Sequence, residues 1–130
     1  MLIVKKFGGS SVGNTEKIMN VAKRIINEKK KDDKIVVVVS AMGDTTDELI
    51  KLATQIDKEP YKYTREMDML LTTGEQVSIA LMAMTFIELG HPAISLTGAQ
   101  AGICANNAYG KALIEDIRPS RIFSELDKGN

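Results

Sequence analysis

Residues Ile35-Val36-Val37-Val38-Val39 form a run of five β-branched side chains. Their stiff χ1 preferences fit the pleated backbone of a strand and count against a helix. A continuous apolar run, as opposed to an alternating one, predicts a strand buried on both faces, as in a parallel sheet. A second apolar run, Leu2 to Val4, is followed by the glycine pair Gly8-Gly9. Between the two runs Asn14 can cap a helix with Glu16 in its first turn, and Ile18, Val21, Ala22, Ile25 and Ile26 lie on one stripe. Strand, loop, helix, strand is a βαβ unit, whose crossover is expected to be right-handed.

Downstream, Leu49, Ile50, Ala53 and Ile56 mark a second helix. Lys58 to Tyr63, with Pro60, is linker-like but too short to separate domains. Glu66 to Leu71 reads as helix, Gly74 as an interruption, and Val77 to Leu89 as a long apolar helix stopped by Gly90. Ala93 to Leu96 is expected as a third buried strand, Gly98 to Tyr109 as an irregular loop, and Ala112 to Ile117 as a short strand. Pro119 opens a final helix to about Leu126.

The 130 residues fit a single domain, and 44% hydrophobic content supplies a core without disulfides or metals. Seventeen basic side chains balance seventeen acidic ones. No net field therefore steers the chain onto nucleic acid or an anionic membrane. The run Lys29-Lys30-Lys31 beside Asp32 and Asp33 reads as a solvated helix end. Cys104 is the only cysteine, so no internal disulfide forms and a reducing compartment is implied. The N-terminus lacks a signal-peptide apolar region and no stretch is expected to reach transmembrane length, so the expected location is cytoplasmic.

Three loops fall after strands, where ligands bind in open α/β sheets, and a further polar segment lies between two helical stretches. In Lys6-Phe7-Gly8-Gly9-Ser10-Ser11, glycines let backbone amides approach an anion and Lys6 adds a mobile charge. The lysine precedes the glycines, so this is not a Walker loop, and an ordinary βα turn remains open. In Ser40 to Thr46, the hydroxyls of Ser40, Thr45 and Thr46 can meet a ligand or cap the next helix. In Thr72-Thr73-Gly74-Glu75, an inward carboxylate would need a partner, whereas a polar turn would not. Thr97 to Gly102 can contact substrate or turn the chain. One histidine, His91, and one cysteine leave triad or thiol chemistry almost no material.

Three segments resemble aspartate kinase, in that family's order and at its approximate spacing: Lys6 to Val12, Val38 to Leu49 and Arg65 to Glu75. Thr97 to Gly102 matches the family's next loop, so the resemblance covers essentially the whole chain. It implies the amino-acid kinase fold, an α/β three-layer αβα sandwich on a mostly parallel sheet. It implies transfer of the γ-phosphoryl of ATP, with Mg²⁺, to the side-chain carboxylate of L-aspartate. By position, Lys6 would be catalytic; Lys6, Phe7, Gly8, Gly9 and Ser10 would hold the phosphoryl group; and Ser40, Thr45, Thr46 and Glu75 would hold aspartate. A carboxylate acceptor is ionised at neutral pH and needs no general base, which agrees with a site lacking His and Cys.

The resemblance also implies what is not here. The family continues into another strand, a Gly-Arg-Gly-Gly-Ser-Asp loop, an ATP-binding half and regulatory ACT domains. Residues 1–130 are therefore expected to be the N-terminal, amino-acid-substrate portion of such a domain, inactive alone. Glutamate, acetylglutamate or UMP kinases share the fold, but Ser40 to Thr46 with Thr73-Gly74-Glu75 favours aspartate. A sheet that stops early would leave an edge open to self-association or homo-oligomer formation.

Overall fold

The computed structural model describes residues 1–130. Strands β1 (Leu2–Phe7) and β2 (Lys34–Val39) pair in parallel, in register from Leu2 opposite Lys34 to Phe7 opposite Val39. Helix α1 (Thr15–Glu28) joins them, and the Asn14 side chain caps it by accepting the Lys17 N–H at 2.8 Å. Glu16 sits in its first turn, where the helix dipole favours a negative charge. Helix α2 (Thr45–Ile56) packs on α3 (Thr64–Glu88), and α3 also packs on α1.

The core lies on one side of the sheet. Val12, Ile18, Val21, Ala22, Ile25, Val39 and Met82 are buried together, with Phe7, Ile35, Val37 and Ile79 packed against them. Each fully buried Val, Ile or Met among them contributes roughly 1.5–3 kcal/mol. Period-2 alternation sends Leu2, Val4 and Val38 to the other side, where Val4 is 64% and Val38 45% exposed. The valine run is thus buried on one face only, contrary to expectation, because α1 and α3 cover a single face.

Helix α3 is continuous for 25 residues through Gly74, so the expected break there is absent. Joining the two stretches makes α3 long and apolar enough to cross a membrane by length and composition, which corrects the expectation that no segment reaches that length. In this fold it packs on α1 and α2, burying Met67, Gly74, Ser78 and Met82. Ile56, placed by its spacing on the apolar stripe of α2, is 88% exposed at the helix end.

Ala93 to Leu96 is not a strand, and residues 92–96 take part in no backbone hydrogen bond. Strand β3 (Ile103–Ala105) pairs antiparallel with β4 (Ile114–Ile117), with an irregularity between Cys104 and Ala105. The expected Ala112–Ile117 strand begins two residues late, and β3 lies inside the stretch expected to be irregular. Two parallel strands and an antiparallel ribbon therefore replace three parallel strands. Propensity marked the apolar run at 93–96, but a strand also requires a neighbouring edge to pair with. Helix α4 (Ser120–Asp127) follows Pro119 and buries Glu125 and Leu126.

Candidate active site

The first loop leaves β1 at Phe7. Gly8 is extended, with φ −78° and ψ 169°, and a short 3-10 turn over Gly9–Val12 leads to α1. The Ser11 N–H closes that turn on the Gly8 carbonyl at 3.0 Å, while the N–H groups of Gly8, Gly9 and Ser10 donate to no backbone acceptor. Three consecutive free amides are the kind of concavity that binds anions. The Lys6 side chain is exposed and forms no ion pair, unlike its neighbour Lys5, which is tied to Glu28. The Phe7 ring instead packs against the core, and its carbonyl accepts the Ser40 N–H at 3.2 Å. Phe7 therefore joins the two loops through its backbone.

The second loop is locked to the first. The Gly43 N–H donates to the Gly9 carbonyl at 3.1 Å. A Cβ on Gly9 would stand 2.8 Å from the Ala41 carbonyl oxygen, so the contact requires glycine. Gly43 itself has φ +48°, a left-handed turn that glycine adopts at low cost. Ser40, Thr45 and Thr46 are half-buried. The helix-capping alternative fails for both threonines, because α2 is capped at Asp44 with no side-chain hydrogen bond. The side-chain hydroxyl bonds of α2 and α3 belong to Thr54, Thr73, Ser78 and Thr85, so those of Ser40, Thr45 and Thr46 stay unspent.

Glu75 lies inside α3, not in a polar turn, and is half-buried. It has no salt bridge or side-chain hydrogen bond, whereas the nearby Glu66 pairs with Arg65 at 2.5 Å. Its neighbour Gly74 is buried against Ala41, Thr45 and Leu49, which brings α3 onto the second loop.

The fourth loop satisfies itself. Thr97 N–H donates to Gln100 Oε1 at 3.0 Å, and Gln100 N–H donates to Thr97 Oγ1 at 3.3 Å. Gly102, at φ +82°, passes so near the Arg118 carbonyl that no side chain fits. This geometry accounts for Thr97 to Gly102 as a turn. Lys17 was not singled out by its sequence context, yet its Nζ donates to the Ser10 carbonyl at 3.0 Å and braces the first loop from α1. Ala41, inside the second loop, is 3% exposed between the first loop and α3.

The two main hollows are both open to solvent. An open cleft of about 310 Å³ touches the first loop through Phe7, Ser10, Ser11 and Lys17. The larger hollow of about 450 Å³, by Ile87, His91 and Asn130, contains no motif residue and has no counterpart in the loop chemistry.

The amino acid kinase family model matches residues 1–130. The chain belongs to the amino acid kinase family. Within that family it is 58% identical to an aspartokinase of Bacillus sp. strain MGA3 over 98% of its own length and 31% of the relative's. It is 56% identical to aspartokinase 2 of Bacillus subtilis, again over 98% of this chain and 31% of that one. The aspartate kinase structure from Synechocystis superposes with a TM-score of 0.81 at 51% identity, covering 99% of this chain and 20% of that one. E. coli aspartokinase III, in complex with aspartate and ADP, reaches a TM-score of 0.78 at 18% identity over 99% of this chain and 39% of that one, and bears on the fold alone. This family member thus has an amino-acid kinase fold and spans about a third of the curated relatives' length.

Proposed function

We propose that residues 1–130 form the aspartate-side portion of an aspartate kinase domain. Such an enzyme moves the γ-phosphoryl of ATP to the side-chain carboxylate of L-aspartate, giving 4-phospho-L-aspartate on the route to lysine, threonine and methionine. The observation that carries the reading is the interlock of the two loops through Gly43 and Gly9, which ties the loop of free backbone amides to the loop of unspent hydroxyls. Aspartokinase relatives at 50–58% identity support aspartate as the acceptor.

In this reading the amides of Gly8, Gly9 and Ser10 and the ammonium of Lys6 take up charge on the transferring phosphoryl group. The Phe7 backbone holds that loop to the next. Ser40, Thr45 and Thr46 hydrogen-bond the substrate, and Glu75 receives its amino group. A carboxylate oxygen of aspartate forms the new bond to phosphorus while the bridging oxygen leaves with ADP. Alignment and charge neutralisation do the rest, with no general base. Nowhere in the chain do three or more His, Cys, Asp or Glu side chains gather as metal ligands. Mg²⁺ would be held chiefly by the phosphates of ATP, and no step here passes through it. On this reading the adenine-binding half and the ACT domains belong to segments outside residues 1–130. A cytoplasmic setting agrees with the free thiol of Cys104.

Isothermal titration of the purified chain with L-aspartate, L-glutamate, N-acetyl-L-glutamate and UMP tests the assignment. Binding of aspartate alone is expected, and a preference for another member of the panel would reassign the substrate. A coupled ATP-turnover assay should read near background, and turnover at the level of a complete enzyme would refute the assignment of the adenine site outside this chain.

A second reading, self-association, draws on one observation. The sheet has only two strands, and Leu2, Val4 and Val38 form an uncovered apolar face. Light scattering at high micromolar concentration should show dimers or larger species, and a clean monomer would remove this reading.

A further inference from the structure

We propose that Gly74 is a positioning residue whose missing side chain sets the distance between α3 and the Ser40 to Thr46 loop, and so the place of Glu75. The inference rests on the aspartate reading for its ligand but on packing alone for its geometry. A Cβ at position 74 would stand 3.0 Å from the Ala41 Cβ, 3.4 Å from Thr45 Cγ2 and 3.5 Å from Leu49 Cδ1. The first of these is tighter than ordinary van der Waals contact, so a methyl at 74 requires the 3%-exposed Ala41 to give by a few tenths of an ångström. Its carbonyl oxygen also lies close to Gly9, where a Cβ would come within 2.8 Å of it. The second loop is therefore held between two glycines, one on the phosphate loop and one on α3. Thr45, which the same contact touches, belongs to the proposed aspartate site, and Glu75 follows directly on the helix.

Helix physics makes the idea testable by sign. Gly is a poor helix interior residue, so Gly74→Ala should stabilise α3 wherever the new methyl has room. If the residue sets the helix–loop distance, the same change lowers the melting temperature instead. The design compares G74A, A41G and the G74A/A41G double variant in the 130-residue chain, because Ala41→Gly removes the atom that the new Cβ would meet. Three readouts apply: thermal melting, amide chemical shifts of Ser40, Thr45, Thr46 and Glu75, and L-aspartate titration. For G74A the melting temperature should fall, all four amides should shift, and aspartate affinity should drop on the order of tenfold, since small misplacements are costly at such sites. The double variant should recover most of each change.

Two results would overturn the proposal. One is a G74A chain that melts higher than the parent. The other is a set of shifts confined to α3 and unaltered by Ala41→Gly. A parent chain that binds no aspartate would refute the substrate assignment, while the melting and shift readouts would still decide the spacing.

Discussion

The first ninety residues and the last forty are built differently. Of sixteen buried residues, only Glu125 and Leu126 lie beyond Gly90. Before Gly90, the sheet, α1 and α3 share one core and the loops interlock by backbone hydrogen bonds. After it, the β3–β4 ribbon is exposed at nearly every position. It meets the rest through contacts such as the Gly110 N–H on the Asp68 carboxylate at 2.8 Å, and α4 is joined to the sheet by Lys34 and Asp127. The candidate site lies wholly in the first region. Precise placement of reacting groups requires side chains locked by packing, and only the first region supplies that.

The largest expected contrast is a pair of truncations. Ile18→Ala in the core should cost about 2–5 kcal/mol, while Leu113→Ala at the edge of the ribbon should stay within about 0.5 kcal/mol. Urea titration measures both, and equal effects would erase the distinction. Amide hydrogen exchange extends it along the chain. Residues 18–25 and 78–82 should exchange slowest and residues 106–118 fastest, because little apolar burial holds the latter closed.

Next in size are the hydroxyls. Ser40→Ala and Thr46→Val should each weaken aspartate binding on the order of tenfold, equivalent to about 1.4 kcal/mol, without lowering the melting temperature. Thr97→Ala, in the self-satisfied turn of the second region, should leave binding unchanged. Loss of binding in Thr97→Ala would move the site.

Acid should act mainly on the first region. Hydrogen bonds from Arg24 and then Lys5 hold Glu28 at about 2, down from an ordinary 4.5. Asp33 is lowered chiefly by the Lys30 N–H, Asp57 by Lys62, and Glu125, in the second region, by Lys128. Each folded-state value is depressed, so the stabilisation is full above the ordinary carboxylate range and is lost as pH falls through it. The melting temperature should be level near neutrality and decline between pH 4.5 and about 2.

The smallest effect separates neighbouring lysines. Lys5→Ala breaks the exposed pair with Glu28 and should lower stability slightly, as read by thermal melting. Lys6→Ala should leave stability unchanged, because its ammonium has no partner within the chain. A destabilised Lys6→Ala chain would mean that Lys6 serves the fold.

Much of the βαβ opening was legible in the residues. Asn14 caps α1, the stripe from Ile18 to Ile25 is buried, and the first two loops follow strands as their glycines and hydroxyls indicated. Local propensity and spacing are sufficient for these features, because each depends on residues near in sequence. Three features were decided by residues far away in sequence. Gly74 continues a helix because its bare backbone fits against Ala41 and Thr45, offsetting a propensity cost of about 1 kcal/mol. Ala93 to Leu96 stays unpaired although its composition favours a strand, since pairing requires an adjacent edge. The valine run is half exposed because helices cover one face alone. Sequence by itself determined which segments turn, cap and extend, and which side chains carry usable chemistry. Tertiary structure decided which apolar surfaces are covered and which loops touch, since burial and close approach belong to pairs of segments and not to either segment alone.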